Sequence, residues 1–319
     1  MNVLITCAGR RTSLLRGFQD AARPLGLRVL AVDRDPLAPA CALADQAFPV
    51  PKVDDPAYVP ALLAIAREHG VGLVVPTTDH ELPILADRAE GFADAGIRMA
   101  LSTSGFVRLC RDKWELAQRL RAEDIPVPAS WLPGRMASPL PERLFLKPRD
   151  GSASLHSYPC RRGDLERMLL LVPRPLIQEF LDGPEISVDA LLDFQGRPIH
   201  YVPRGRIRIL AGESVQGVTL DRPDLEPWIE RVLAICSRLG ARGPLTIQAF
   251  LTPGGPVLTE INPRFGGGFP LARAAGGDYP AWLLALALGQ AVPPRLGQFR
   301  RGLYMTRYYS ELFMESLPW

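Results

Sequence analysis

Residues 245–268 read LTIQAFLTPGGPVLTEINPRFGGG, the pattern of two strands that place oxygen-bearing side chains on one surface. Two β-rich runs, Leu245 to Thr252 and Val257 to Ile261, flank Pro253-Gly254-Gly255, the pattern of a hairpin. Side chains alternate faces along a strand, so Glu260 and Asn262 share one side, and Gln248 from the partner strand can join them. A few hard oxygen ligands on one rigid face suit Mg²⁺, which completes its shell with water and phosphate. Pro263 then ends the ladder, and Arg264 follows with a guanidinium able to grip a phosphate or carboxylate bidentately.

The start of the chain has a different rhythm. The apolar run NVLIT is followed by Cys7-Ala8-Gly9 and a helical pattern from Thr12, with Leu14, Leu15 and Phe18 on one side. Further runs, Leu27 to Val32 and Val71 to Val75, end in Asp33 and in Pro76-Thr77-Thr78-Asp79, with an apolar helix from Tyr58 to Arg67 between them. Such alternation predicts right-handed βαβ units and a parallel, doubly wound sheet. The turn CAGRRTS has one glycine where a dinucleotide fingerprint needs three, so NAD is not expected. Ligands gather at the carboxyl ends of parallel strands, which places Arg10, Arg11, Asp33, Asp79 and Glu81 around one crevice.

The middle of the chain adds candidates. Ser102-Thr103-Ser104 offers helix caps ahead of a helical pattern that carries Asp112-Lys113-Trp114. The strand-like RLFLKP ends in Lys147 and runs into Arg149 to Ser157, a small, polar stretch suited to folding over phosphates, although the GxxxxGK[ST] spacing is missing. After PLIQEFL and Asp182-Gly183-Pro184, the alternating EISVDALL puts Glu185, Ser187 and Asp189 on one face. Arg204, Arg206 and Arg208 recur every second residue, a basic stripe that is either a solvated edge or an anion grip. Leu225 to Leu239 and Tyr279 to Leu288 read as core-packing helices, and Leu303 to Trp319 as a closing strand packed on the body.

Composition narrows the class of function. A 319-residue chain allows two or three subdomains, and a net charge of +3 gives no footprint for a nucleic-acid partner. No apolar run reaches the ~20 residues a membrane span needs, and the first residues enter a strand directly, so a cytoplasmic location is expected. The five cysteines form no CxxC pair and the four histidines show no ligand spacing, which argues against disulfides or zinc.

Taken in order, RDKWE, LFLKP, the glycine loop, QEFL and TEINPR resemble the ATP-grasp superfamily, specifically short-form relatives of the carbamoyl phosphate synthetase large subunit of carboxylate–amine ligase type. The resemblance implies an α/β fold passing to α+β: a Rossmann-like pre-ATP-grasp domain over residues 1–103, a linker helix and small subdomain with a glycine-rich lid over 104–180, and a large subdomain with the Mg²⁺ strands over 181–319. It implies that Lys113 and Lys147 contact nucleotide phosphates, that Gly151, Ser152 and Ser154 belong to the lid, that Glu179, Phe180 and Leu181 form the hinge against adenine, and that Glu185 holds the ribose. Gln248, Glu260 and Asn262 match the metal positions for Mg²⁺ or Mn²⁺, with Gln248 neutral where many relatives carry an acid. Lys147, Arg208 and Arg264 are then the candidate catalytic side chains, and Asp79 with Glu81 would hold the amine.

The chemistry so implied is ATP-dependent activation of a small-molecule carboxylate as an acyl phosphate, followed by amine attack, with room for a homodimer. Alternatives are a carboxyphosphate-forming enzyme, one with a phosphorylated acceptor, or a nucleotide-binding regulator without turnover.

Overall fold

The computed structural model describes residues 1–136, 139–151, 155–210 and 212–319. Its first layer is a five-stranded parallel sheet made of β1 Asn2–Thr6, β2 Val29–Asp33, β3 Gln46–Pro49, β4 Val71–Pro76 and β5 Arg98–Met99, in the order β3-β2-β1-β4-β5. The order reverses at β1, where helix Thr12–Ala22 leaves on the β1–β2 side, so a crevice opens at the carboxyl ends of β1 and β4. This is the doubly wound arrangement that the apolar runs predict.

A second sheet has four antiparallel strands, β6 Ser130–Trp131, β7 Arg143–Pro148, β8 Tyr158–Arg161 and β9 Pro175–Glu179, in the order β6-β9-β7-β8. Strand alternation decides its faces. Leu144 and Leu146 turn into a small core with Leu140, Leu165 and Ile177, leaving Phe145 and Lys147 on the opposite face.

The third sheet has six strands, β10 Glu185–Leu192, β11 Pro198–Leu210, β12 Glu213–Thr219, β13 Gly243–Thr252, β14 Gly255–Asn262 and β15 Tyr304–Thr306, in the order β14-β13-β10-β11-β12-β15. One face carries Ile186, Val188, Ala190, Ile247, Ala249 and Ile261, packed under helix Glu226–Arg238. The helices Ser104–Arg111 and Lys113–Arg121 contribute Phe106, Cys110, Leu116 and Leu120 to this same core. By packing they therefore side with the large sheet, although sequence order suggests the small one. Helix Tyr279–Ala287 leans the other way, with Tyr279, Leu283 and Leu284 in the core of the parallel sheet's helix Thr12–Ala22.

The tail differs from expectation beyond its strand. β15 closes the edge against β12, but Tyr308, Tyr309 and Phe313 stand exposed. Arg307 is the last anchoring side chain, donating to Glu213 and to the carbonyl of Gly267. Among the described residues no helix is long and apolar enough to cross a membrane.

Candidate functional site

The four-stranded and six-stranded sheets face each other across a cavity of about 300 Å³. One wall comes from β7 and the hinge after β9, with Phe145, Lys147, Phe180 and Leu181. The facing wall comes from β10, β11, β13 and β14, with Glu185, Arg206, Gln248, Phe250 and Glu260. Lys113 and Gly151 lie at the same cavity. Lys113, Lys147, Gly151, Glu179, Phe180, Leu181, Glu185, Gln248 and Glu260, read from distant parts of the sequence, are thus brought together; Ser152 and Ser154 lie outside the described residues.

The two lysines differ in what holds them. Lys113 begins its helix one residue after Asp112, whose carboxylate accepts from the N–H groups of Trp114 and Glu115 at 3.1 Å each. The Lys113 ammonium donates to the carbonyl of Gly151, and its backbone N–H donates to Arg149 O at 2.9 Å, so the end of β7 is tied to the helix start. Arg149 adds a two-point ion pair with Asp112, Nε to Oδ1 at 2.7 Å and to Oδ2 at 2.8 Å. Lys147 is buried and opens on the cavity without a carboxylate in ion-pair contact among the described residues. Burial pulls its ammonium from 10.5 down to about 8; the field of Glu260 opposes the shift and that of Lys113 adds to it.

The hinge exposes backbone to the cavity. Phe180 N–H donates to Arg143 O at 3.1 Å, and the Glu179 carboxylate accepts from Ala129 N–H at 2.8 Å. Glu179 is therefore fixed by its own chain, while Leu181 N–H has no bond among the described residues and lines the cavity. With Phe145, Ile209 and Phe250 this gives a flat apolar slot beside a free donor, a shape suited to a heteroaromatic ring.

On the hairpin, register sets which side chains stand together. Gln248 pairs with Glu260 and Thr246 with Asn262, and a one-residue bulge at Thr259 re-aims the outer half of β14. Asn262 Nδ2 donates to Gln248 Oε1 at 3.2 Å, and Gln248 Nε2 to Glu185 Oε1 at 2.9 Å. Among the described residues no cluster of three or more His, Cys, Asp and Glu side chains could hold a metal alone. One carboxylate and two amide oxygens fit Mg²⁺ only when phosphate and water complete its shell.

Arg264 is engaged more firmly than the sequence suggests. It makes a two-point ion pair with Asp79 at the end of β4, Nε to Oδ1 at 2.7 Å and Nη2 to Oδ2 at 2.6 Å, and Nη2 also reaches Asn262 Oδ1 at 3.3 Å. Burial opposes its charge, but the Asp79 carboxylate, with Glu260 and Glu213, outweighs burial and raises the guanidinium above its ordinary value. Asp79, Lys113, Asp150, Glu260 and Asn262 share a small cleft of about 30 Å³ that joins the parallel sheet to the nucleotide-sized cavity.

Two expectations need correction. Glu81 does not face an amine: it is fully buried and accepts from Thr77 N–H at 2.8 Å, Thr78 N–H at 3.0 Å and the Tyr58 hydroxyl at 2.8 Å. It closes the turn after β4. The basic stripe also does not form as one surface, because register shifts on both sides of Arg208 interrupt the alternation. Arg204 is buried against Asp189 at 2.7 Å, Arg206 reaches into the cavity and pairs with Glu185, and Arg208 is exposed and does not line it. Arg206, paired in regular register opposite Gly217, is the member of the stripe that enters the cavity.

Comparison with known proteins places this geometry. Residues 3–100 match the family model described as PylC-like, N-terminal domain, and residues 172–308 match the one described as ATP-grasp in the biosynthetic pathway with Ter operon. The chain is 26% identical over 253 residues to a phosphoribosylamine–glycine ligase of Rhodopirellula baltica, covering 66% of this chain and 57% of that protein. It is 30% identical over 142 residues to the carbamoyl phosphate synthase large chain of Clavibacter michiganensis subsp. michiganensis, covering 39% of this chain and 13% of that one. The chain thus spans little more than half the length of the first relative and a small part of the second. A biotin carboxylase complexed with β,γ-ATP from Campylobacter jejuni superposes with a TM-score of 0.77 at 15% identity, covering 95% of this chain and 74% of that one, which shows the shared fold. Residues 172–308 thus carry an ATP-grasp family match, and over 142 residues the chain is similar to a carbamoyl phosphate synthase large chain.

Proposed function

We propose that this chain is an ATP-dependent ligase that activates a carboxylate as an acyl phosphate and joins it to an amine, releasing ADP and phosphate. The observation that carries the reading is the convergence of Lys113, Lys147 and Glu260 on one cavity whose other end is an apolar slot with the free N–H of Leu181. On this reading the ring of ATP would occupy the slot, Glu185 would meet the ribose hydroxyls, and the lysines would meet the phosphates. The named activity of the Rhodopirellula relative, a ligase joining an amine to glycine, supports the same chemistry.

Each residue then has a physical task. A substrate carboxylate oxygen attacks the γ-phosphorus, and charge gathers on the equatorial oxygens. Lys147, itself buried, would stabilise that charge more strongly than an exposed lysine could. Glu260 and Asn262, with Gln248 beside them, would hold Mg²⁺, or Mn²⁺ in its place, which supplies charge neutralisation between phosphates. Arg264 is held by Asp79, which lines the cleft between the nucleotide cavity and the parallel sheet, and from there would reach the transferring group. The amine attacks the acyl carbon and phosphate leaves, chemistry that requires water to be kept from the acyl phosphate. The reading includes a cytoplasmic location and a homodimer of this chain acting on small molecules.

The test is ADP release by the purified chain supplied with ATP and fractionated metabolites, with products resolved by mass. Release that requires Mg²⁺, a carboxylate and an amine together supports the reading. ATP binding without stimulated release from any fraction would replace it with a nucleotide sensor.

A further inference from the structure

A second cavity, of about 180 Å³, lies at the carboxyl end of β1 and shares no lining residue with the nucleotide-sized one. Its walls come from the Cys7–Arg11 turn, the start of helix Thr12–Ala22, and the loop Phe265–Phe269 that follows Arg264. Three arginines border it, Arg10, Arg11 and Arg307, against one acid, Glu213. Glu213 is already matched by Arg307 at 3.0 Å. Arg11 has only one long contact, Nη2 to Thr77 O at 3.5 Å, and no ion pair among the described residues. Its surroundings are hostile to a cation: burial and the nearby Arg264 pull it from 12.5 down to about 10.

Two further features prepare this place for negative charge. Helix Thr12–Ala22 begins at Arg11 with no side chain capping its first turn, which leaves backbone N–H groups and the positive end of the helix dipole at the cavity. The turn that presents them is held in left-handed backbone at Cys7, with φ of 47°, and at Gly9, with φ of 45°; a non-glycine residue in that region marks an over-determined, functional loop.

We propose that this cavity anchors the acceptor substrate by an anionic group, a carboxylate or a phosphate, that takes no part in the reaction and is gripped by Arg11 and the first turn of helix Thr12–Ala22. The assignment rests on the ligase reading for the word acceptor, and on the cavity alone for the anion. Held there, a substrate meets Phe265 and Phe269 along its apolar part and extends toward Arg264 and Asp79. The chain therefore selects acids as substrates, and an uncharged analogue of the true acceptor binds poorly.

The experiment is calorimetric titration of the full chain with inorganic phosphate in one arm and acetate in the other, with magnesium AMP-PNP saturating the nucleotide site so that its γ-phosphate position is filled. The expected result is binding of one anion in the millimolar range, weakened at least tenfold in Arg11→Met and about threefold in Arg11→Lys, with AMP-PNP affinity within twofold of wild type in both. Preference for phosphate identifies a phosphorylated acceptor, and preference for acetate a carboxylate. Equal anion affinity in wild type and both variants, or no anion binding by wild type, overturns the proposal; Arg11→Lys decides if Arg11→Met does not melt cooperatively. AMP-PNP titrated alone reads the other claim separately, since absent nucleotide binding with Arg11-dependent anion binding sinks the ligase reading and leaves this site standing.

Discussion

Arg264 and Asp79 lie 185 residues apart in the chain and close on each other through two hydrogen bonds of 2.7 and 2.6 Å. The pair joins the end of a parallel strand to the end of the hairpin that carries Glu260 and Asn262. A planar fork on a carboxylate fixes direction as well as charge, so Asp79 sets where the Arg264 guanidinium points.

Asp79→Asn keeps the shape of the pair and removes its charge. We expect kcat to fall at least tenfold, about 1.4 kcal/mol of barrier, with the KM for ATP changed less than threefold. Steady-state kinetics check this, and a variant that loses ATP affinity instead would place Asp79 at the nucleotide.

Glu260→Gln removes the one carboxylate of the hairpin set and leaves its volume. Turnover should drop by ~10²-fold or more while the cooperative melting transition persists, because the side chain supports little packing. Loss of the melting transition on thermal denaturation would make Glu260 a structural residue.

Lys147 gives a dependence on pH. Its pKa is depressed in the folded chain, from 10.5 to about 8, by burial. Below pH 8 both folded and unfolded chains hold the proton, and folding bears the full cost of a buried ammonium; as pH rises from about 8 toward 10.5 the folded chain sheds it first and that cost is relieved. If the ammonium meets the nucleotide phosphates as proposed, ATP affinity should decline above pH 8 and binding at pH 9 should take up protons. Calorimetry in buffers of different ionisation enthalpy reads the uptake. Glu260→Gln removes the charge that supports the ammonium, so the decline should begin at lower pH; identical profiles would take Lys147 out of the site.

Much of the cavity was legible because alternation is a strong signal in straight strands. Lys147 on β7, and Glu260 with Asn262 on β14, lie on the faces that a period of two assigns them. The same rule fails at Arg208, since register shifts on both sides of it break the period and leave no local mark in the sequence. Pairings across the fold were illegible for another reason. Nothing near Asp79 signals a partner 185 residues away, and Glu81, two residues on, looks equally available until burial shows it bonded to its own turn.

Glu81→Ala tests that correction. Removing its carboxylate orphans the N–H of Thr77 and the hydroxyl of Tyr58 in a dry site, at about 1–3 kcal/mol for each unsatisfied group. Melting should move down clearly, measured by circular dichroism. An unchanged melt with a raised KM for the amine would return Glu81 to the substrate.

Asp189 and Arg204 should dominate stability in the large sheet. Their side chains are 2% and 3% exposed, so Asp189→Ala leaves a buried cation unpaired, at about 3–5 kcal/mol. Denaturant unfolding reads this as a lower midpoint with little change in slope.

The acyl phosphate is the centre of the account, and oxygen labelling reads it directly. Once the carboxylate substrate is identified from the product screen, it is supplied with ¹⁸O in both carboxyl oxygens and the released phosphate is weighed by mass spectrometry. The account predicts one ¹⁸O atom in each phosphate, carried over when the acyl phosphate breaks. Phosphate that leaves with no label, while the amide still forms, would contradict it.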